Sequence, residues 1–140
     1  AWSYVATSTN GKEWSAAERF VAAPDQNFAV HRLADGKLLM VRNGRFDHHL
    51  YWMPEGLFAY LSEDCGQTWY GGLRLASDVA TINPVVAEAK DGTIYITAIK
   101  TTLLNNKTTF QSNICGLEFG EINRIVFVDQ DGAERVLWSR

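Results

Sequence analysis

An all-β fold of successive four-stranded antiparallel units, about two and a half of them, is predicted by three observations. Short apolar or alternating runs replace helical periodicity, tight-turn sequences recur between the runs, and two kinds of turn share one spacing. The runs are "WSYVAT", "FAVHRL", "KLLMVR", "GLFAYLS", "PVVAEA", "TIYITAIK", "NICGLEF", "RIVFVD" and "ERVLWS". Three Asp-Gly turns, "ADGK" at Ala34, "KDGT" at Lys90 and "QDGA" at Gln130, each separate two runs, and the dipeptide is read as supplying the positive φ values of a tight hairpin. A second turn, "STNGKEWS" from Ser8 and "SEDCGQTWY" from Ser62, holds Ser, then Asn or Asp, then Gly, then a Trp that starts the next strand.

Trp14 to Trp69 is 55 residues, and Gly36 to Gly92 is 56. Two unrelated turns repeating at one spacing indicate an internal repeat. A period of that size with four short strands per unit is the pattern of β-propeller blades, each covering its neighbour's faces. With the strands of a unit lettered A to D, the Asp-Gly turn joins A to B and the Ser-Asp-Gly-Trp turn joins C to D. Residues 1–26 then form the end of one blade, residues 27–76 a complete one, and residues 77–140 the following blade and a closing ribbon. In that last part "NICGLEF" is read as the C strand and the second turn has decayed to "GEINR". The ribbon "IVFVDQDGAERVLWS" is either a D strand plus a tail or the start of another blade.

A chain of 140 residues buries roughly 70% of its unfolded surface, enough for a core without staples. The net charge is −3, from 13 basic and 16 acidic residues dispersed along the chain, and no basic stripe is present to follow a phosphate backbone. Nucleic acid is therefore not expected as a partner. Cys65 and Cys115 have no CxxC spacing and are read as free thiols, with neither metal nor cofactor implied. No apolar run approaches the roughly 20 residues of a membrane helix, so no membrane partner is expected. The start, "AWSYVATSTN", has no initiator Met and no targeting signal, and the chain reads as a processed form or a fragment.

"SEDCGQTW" matches the Ser-x-Asp-x-Gly-x-Thr-Trp motif called the Asp-box, or bacterial neuraminidase repeat, at Ser62, Asp64, Gly66, Thr68 and Trp69. "STNGKEW" is a degenerate copy at Ser8, Asn10, Gly11 and Trp14. The motif is a folding device: the Asp accepts N–H bonds across the turn, the Gly takes a left-handed conformation, and the Trp covers the outer strands. Together with "HRLADGKLLMVRNGRFDHH" and "DGTIYITAIK", this stretch resembles the sialidase-like glycoside hydrolase propellers of gut and environmental bacteria. That resemblance implies a parent propeller of about six blades, a glycan substrate, no cofactor, and a secreted or periplasmic location. Where such proteins often carry Tyr-Pro-Asp and Tyr-Asp, this chain reads Ile82, Asn83, Pro84 and Thr97, Ala98, Ile99.

In an up-and-down meander the A-B and C-D turns share one end, so the B-C and D-A loops share the other. Those loops are "NGRFDHHLYWMPEG", "AAPDQN", "ASDVATIN" and "TTLLNNKTTFQS", and long loops on a rigid scaffold are where binding resides. Sialidase-like chemistry needs arginines to grip a carboxylate, an acid for the leaving oxygen, and a Tyr-Glu pair or paired carboxylates at the ring carbon. The candidates for catalysis are Asp47, Arg45, Arg42 and Tyr51. Arg32, His48, His49, Trp52 and Asp78 are candidates for substrate contact, with Asp78 an alternative acid. Competing structural readings make Arg32 an ion-pair partner of Glu88, Asp47 with His48 and His49 a loop hydrogen-bond cluster, and Trp14, Trp69 and Trp138 packing residues.

The expectation is thus part of an exo-acting sialidase-like glycosidase that takes a glycan at the loop-bearing end. The alternative is a non-catalytic propeller segment that binds glycan or protein. Open sheet edges and faces imply self-association or docking with further blades.

Overall fold

The computed structural model describes residues 3–20, 28–43, 56–103 and 122–140, and these residues form ten strands and no helix. β1 (Tyr4–Val5) and β2 (Glu18–Arg19) make a short antiparallel ribbon. β3 (Phe28–Arg32), β4 (Leu38–Asn43), β5 (Leu57–Ser62) and β6 (Tyr70–Ala76) follow in sequential order as an antiparallel sheet. β7 (Val79–Glu88), β8 (Thr93–Leu103), β9 (Arg124–Val128) and β10 (Glu134–Ser139) form a second four-stranded sheet.

Side-chain alternation puts Leu39 and Val41 of β4 on the same face as their partners Leu61 and Ala59 of β5. That face closes on Ile94 and Ile96 of β8 and on Ile125 and Phe127 of β9, in one core that also takes in Val79 and Ile122. Leu39, Leu61, Ile94, Ile96 and Ile125 are all fully buried. Each such side chain stabilises the fold by about 2 kcal/mol through transfer from water. The opposite face of the first sheet meets the ribbon, where Phe20 lies 5.6 Å from Phe28 and edge-on to Trp69 at 6.1 Å between ring centroids.

The Asp-Gly turns have one construction. In each, the Gly N–H reaches back three residues: Gly36 to Leu33, Gly92 to Ala89 and Gly132 to Asp129, at 2.9, 3.0 and 3.1 Å. Each loop is closed by a second bond, Leu33 N–H to Lys37, Ala89 N–H to Thr93 and Asp129 N–H to Ala133. The Gly alone has positive φ in each turn, since Cys65 and Asn83 are the only described residues other than glycine with positive φ. These are three-residue loops with a left-handed Gly at the end, so the positive φ that the sequence reading assigned to the Asp-Gly dipeptide comes from the Gly alone. Asp35 and Asp91 instead use a carboxylate oxygen to accept the N–H two residues on, from Lys37 and Thr93.

Three expectations are corrected in the second half. The strand beside Thr93–Ile96 is β9, and it runs parallel to β8, so the second sheet is not a simple meander; "NICGLEF" lies outside the described residues. The closing ribbon belongs to the second sheet, and its "QDGA" turn sits at the opposite end from the other two Asp-Gly turns. β7 also starts at Val79, so most of "ASDVATIN" is strand and the connection from β6 is only Ser77 and Asp78. Pro84 is accommodated because β7 is an edge strand, and the preceding Asn83 takes a φ of 51° where one pair drops out of a ladder whose register is unchanged.

Trp14 is a fourth correction. It is 64% exposed, because among the described residues no strand lies outside the ribbon that carries it. Trp138, by contrast, packs against the core.

Candidate functional site

Two ends of the paired sheets are distinguished by their chemistry. At the turn-bearing end, the Ser62 hydroxyl donates to Asp64 Oδ1 at 2.8 Å and accepts the Gly66 N–H at 2.8 Å. Asp64 Oδ1 also accepts the Thr68 N–H at 2.8 Å, and Oδ2 accepts the Thr68 hydroxyl at 2.5 Å. The Trp69 indole N–H donates to Gly66 O at 3.1 Å, folding the ring back over the turn. The degenerate copy keeps the same logic with a neutral side chain. Ser8 Oγ accepts the Gly11 N–H, and Asn10 Oδ1 accepts the N–H groups of Lys12 and Glu13, both at 2.9 Å. The Ser, Asp or Asn, Thr68 and Trp69 side chains bond within their own turn, which is the arrangement of a structural clip.

The bonds from the Thr68 hydroxyl, the Thr68 N–H and the Ser62 hydroxyl hold the Asp64 carboxyl down to about 2. Since the folded value lies below the unfolded one, the ionised turn contributes its full stability above the ordinary carboxylate range and loses it as pH falls through the folded value. Asp64→Asn is therefore expected to lower Tm at neutral pH, and the gap from the parent should close as pH drops from about 4 toward about 2. Thermal unfolding across that range checks this, and a gap that stays constant with pH would refute the assignment.

Glu88 links the two sheets at this end. Its carboxylate accepts the Ala34 N–H at 2.9 Å and lies 3.7 Å from His31 Nε2, so the partner of Glu88 is His31, not Arg32. Arg32 itself is exposed on β3.

The loop-bearing end is where the sequence places a binding site. Arg45, Asp47, His48, His49, Tyr51 and Trp52 lie outside the described residues. Arg42, at the end of β4, is 3% exposed, with Nε donating to Asn43 O at 3.2 Å and its guanidinium carbon 6.0 Å from the centre of the Tyr60 ring. Burial pushes the Tyr60 hydroxyl up, partly offset by the charge of Arg42. Arg42 is thus set into the base of this end.

Asp78 is half exposed and already engaged by a cation. Arg135, at the start of β10, grips it with two bonds, NH2 to Oδ1 at 2.6 Å and NH1 to Oδ2 at 3.1 Å. The hydrogen bonds from Arg135 hold the Asp78 carboxyl below its ordinary value, and those to Asp78 raise Arg135. A carboxyl so held is ionised at neutral pH and poorly suited to give a proton to a leaving oxygen. With both side chains about half exposed, the pair contributes at most about 1 kcal/mol.

The residue that sequence reasoning passed over is Asn43. Its side chain is 1% exposed, and its Oδ1 accepts the Thr81 N–H at 3.0 Å while its Nδ2 donates to Thr81 O. One amide side chain thereby serves as a strand partner on the rim of β7, joining the sheets at the end of β4. Gly56, just before β5, has φ of 117° and sits against the carbonyl of Ala76. The end of β4 and the start of β5 are both pinned, and rigid strand ends of this kind are what loop-borne chemistry requires. Among the described residues no group of three His, Cys, Asp or Glu converges as a metal site.

Comparison with protein-family profiles, with curated proteins and with solved structures returns no match.

Proposed function

We propose that this chain is a segment of a sialidase-like β-propeller that acts on a glycan at the loop-bearing end of its sheets, in a secreted or periplasmic setting. The observation that carries the reading is the turn from Ser62 to Trp69. Its Asp-box sequence and closed hydrogen-bond set join the last two strands of a four-stranded meander, and a second sheet packs on that meander at the repeat spacing. In this reading Arg45 grips the carboxylate of an acidic sugar, Asp47 gives the proton to the leaving oxygen, and Tyr51 faces the ring carbon. Asp78, engaged by Arg135, is left out of the chemistry.

The state of Asp78 also favours a second reading, a propeller segment that binds glycan without cleaving it. Aryl sialosides and other aryl glycosides distinguish the two when assayed on the complete polypeptide. For catalysis, Arg45→Ala and Asp47→Ala should each lower kcat/KM by about 100-fold or more with the unfolding midpoint unchanged. Unaltered turnover in both variants would remove the catalytic assignment. No turnover on any substrate, with retained binding to a glycan array, would establish the second reading.

A further inference from the structure

The sequence holds two Asn-Gly pairs, Asn10-Gly11 and Asn43-Gly44. In such a pair the Gly nitrogen can attack the Asn side-chain amide, because no Cβ on the glycine hinders the approach. The Asn43 amide is withheld from that reaction. It is 1% exposed, and both of its polar atoms are bonded to the Thr81 backbone. Asn10 is the opposite case, exposed within the degenerate Asp-box turn. Its exposure is a property of the turn, since the equivalent Asp64 also reaches solvent although the ribbon packs beside it.

The bonds of this turn converge on the reacting atoms. Ser8 Oγ accepts the Gly11 N–H at 2.8 Å and the Asn10 N–H at 3.3 Å, and the Ser8 hydroxyl donates to Asn10 Oδ1 at 3.3 Å. One hydroxyl thus touches both the attacking nitrogen and the oxygen of the carbonyl under attack. Oδ1 also accepts the N–H groups of Lys12 and Glu13, each at 2.9 Å, two donors placed to stabilise negative charge on that oxygen. The leaving nitrogen, Asn10 Nδ2, donates to Glu13 Oε2 at 3.5 Å. The Ser62 turn lacks this arrangement. Gly66 makes the bond that Gly11 makes, but Cys65 stands between it and Asp64, whose carboxylate is a poor electrophile.

We propose that Asn10-Gly11 is a self-modification site, where Ser8 relays a proton and the Asn10 side chain is deamidated. Gly11 N gives its proton to Ser8 Oγ as the Ser8 hydroxyl proton passes to Asn10 Oδ1, and the bond from Gly11 N to Asn10 Cγ forms. The tetrahedral carbon then expels Nδ2, which takes the proton from Oδ1 and departs as ammonia, leaving a succinimide ring. Water opens the ring. Cleavage of the new bond to Cγ gives aspartate, and cleavage at the Asn10 backbone carbonyl gives isoaspartate. The aspartate product places a carboxylate where the full motif has Asp64, so the reaction completes the degenerate copy.

Peptide mapping by mass spectrometry tests this on the 140-residue chain incubated at mildly alkaline pH with and without urea. In the folded chain the peptide bearing Asn10 should lose ammonia and then gain water, while the peptide bearing Asn43 stays intact. In urea both should convert. Ser8→Ala should slow the folded reaction at Asn10 by about 10-fold or more and leave its rate in urea unchanged. Ser8→Thr, which keeps a hydroxyl, should stay near the parent in both. An Asn10 that converts only in urea, an Asn43 that converts as fast as Asn10 in the folded chain, or a Ser8→Ala variant no slower than the parent would each overturn the proposal.

Discussion

Gly56→Ala is expected to destabilise the chain by about 3 kcal/mol or more, enough to abolish a marginal fold. A Cβ built at Gly56 falls 2.1 Å from the carbonyl oxygen of Ala76 and 3.1 Å from Ser77 Cα, both backbone atoms that no rotamer change can move. The φ of 117° adds a conformation that L-residues avoid, so the strain persists even if the strands separate. Relief would require β5 and β6 to part at Leu57 and Ala76, the pair beside their register shift. Equilibrium urea unfolding measures the effect. A loss under about 1 kcal/mol would show that this end of the sheet yields far more easily than a packed core does.

Asn43→Leu is expected to cost about 2–4 kcal/mol, although leucine has the same branched outline and an apolar side chain suited to a buried site. The substitution leaves the N–H and C=O of Thr81 facing apolar surface without their partner, and Thr81 is fully buried. The penalty is chiefly one of unmet hydrogen bonds, with the larger methyl groups of leucine adding to it. Asn43→Ala, which opens room for water to reach Thr81, should therefore cost no more than the leucine variant. Chemical denaturation of the two variants in parallel checks the order, and a leucine variant as stable as the parent would sink the argument.

The contrast between these positions and the Asp-box turn shows what the sequence could convey. The first sheet was legible because each of its close connections is a local device. Asp35 and Gly36 close β3 onto β4, and Ser62, Asp64 and Thr68 close β5 onto β6 within a few residues of chain. The place of β9 was not legible, because its partner is chosen by burying Ile125 and Phe127 against the first sheet, and no turn residue records that choice. Asn43 with Thr81 and Arg135 with Asp78 are likewise contacts between distant segments. Asn43 read as the first residue of a loop, and nothing in its neighbours distinguishes an amide aimed at water from one aimed at a strand rim. Trp14 carried the same motif as Trp69, but burial depends on what lies across the interface.

The parallel pairing of β8 and β9 also dictates an order of events as the chain folds. The strands of the first sheet pair in chain order, and β3 with β4 and β5 with β6 are hairpins closed by short connections and available early. β9 can align with β8 only after the chain beyond Leu103 has returned to the end where β8 began, and the loop entropy lost in that return precedes any contact it gains. The first sheet should thus act as the template on which the second is completed. Amides of Leu39, Val41 and Ala59 should gain protection in pulsed hydrogen exchange before those of Ile125 and Phe127, and simultaneous protection would mean that the two sheets form as one cooperative unit.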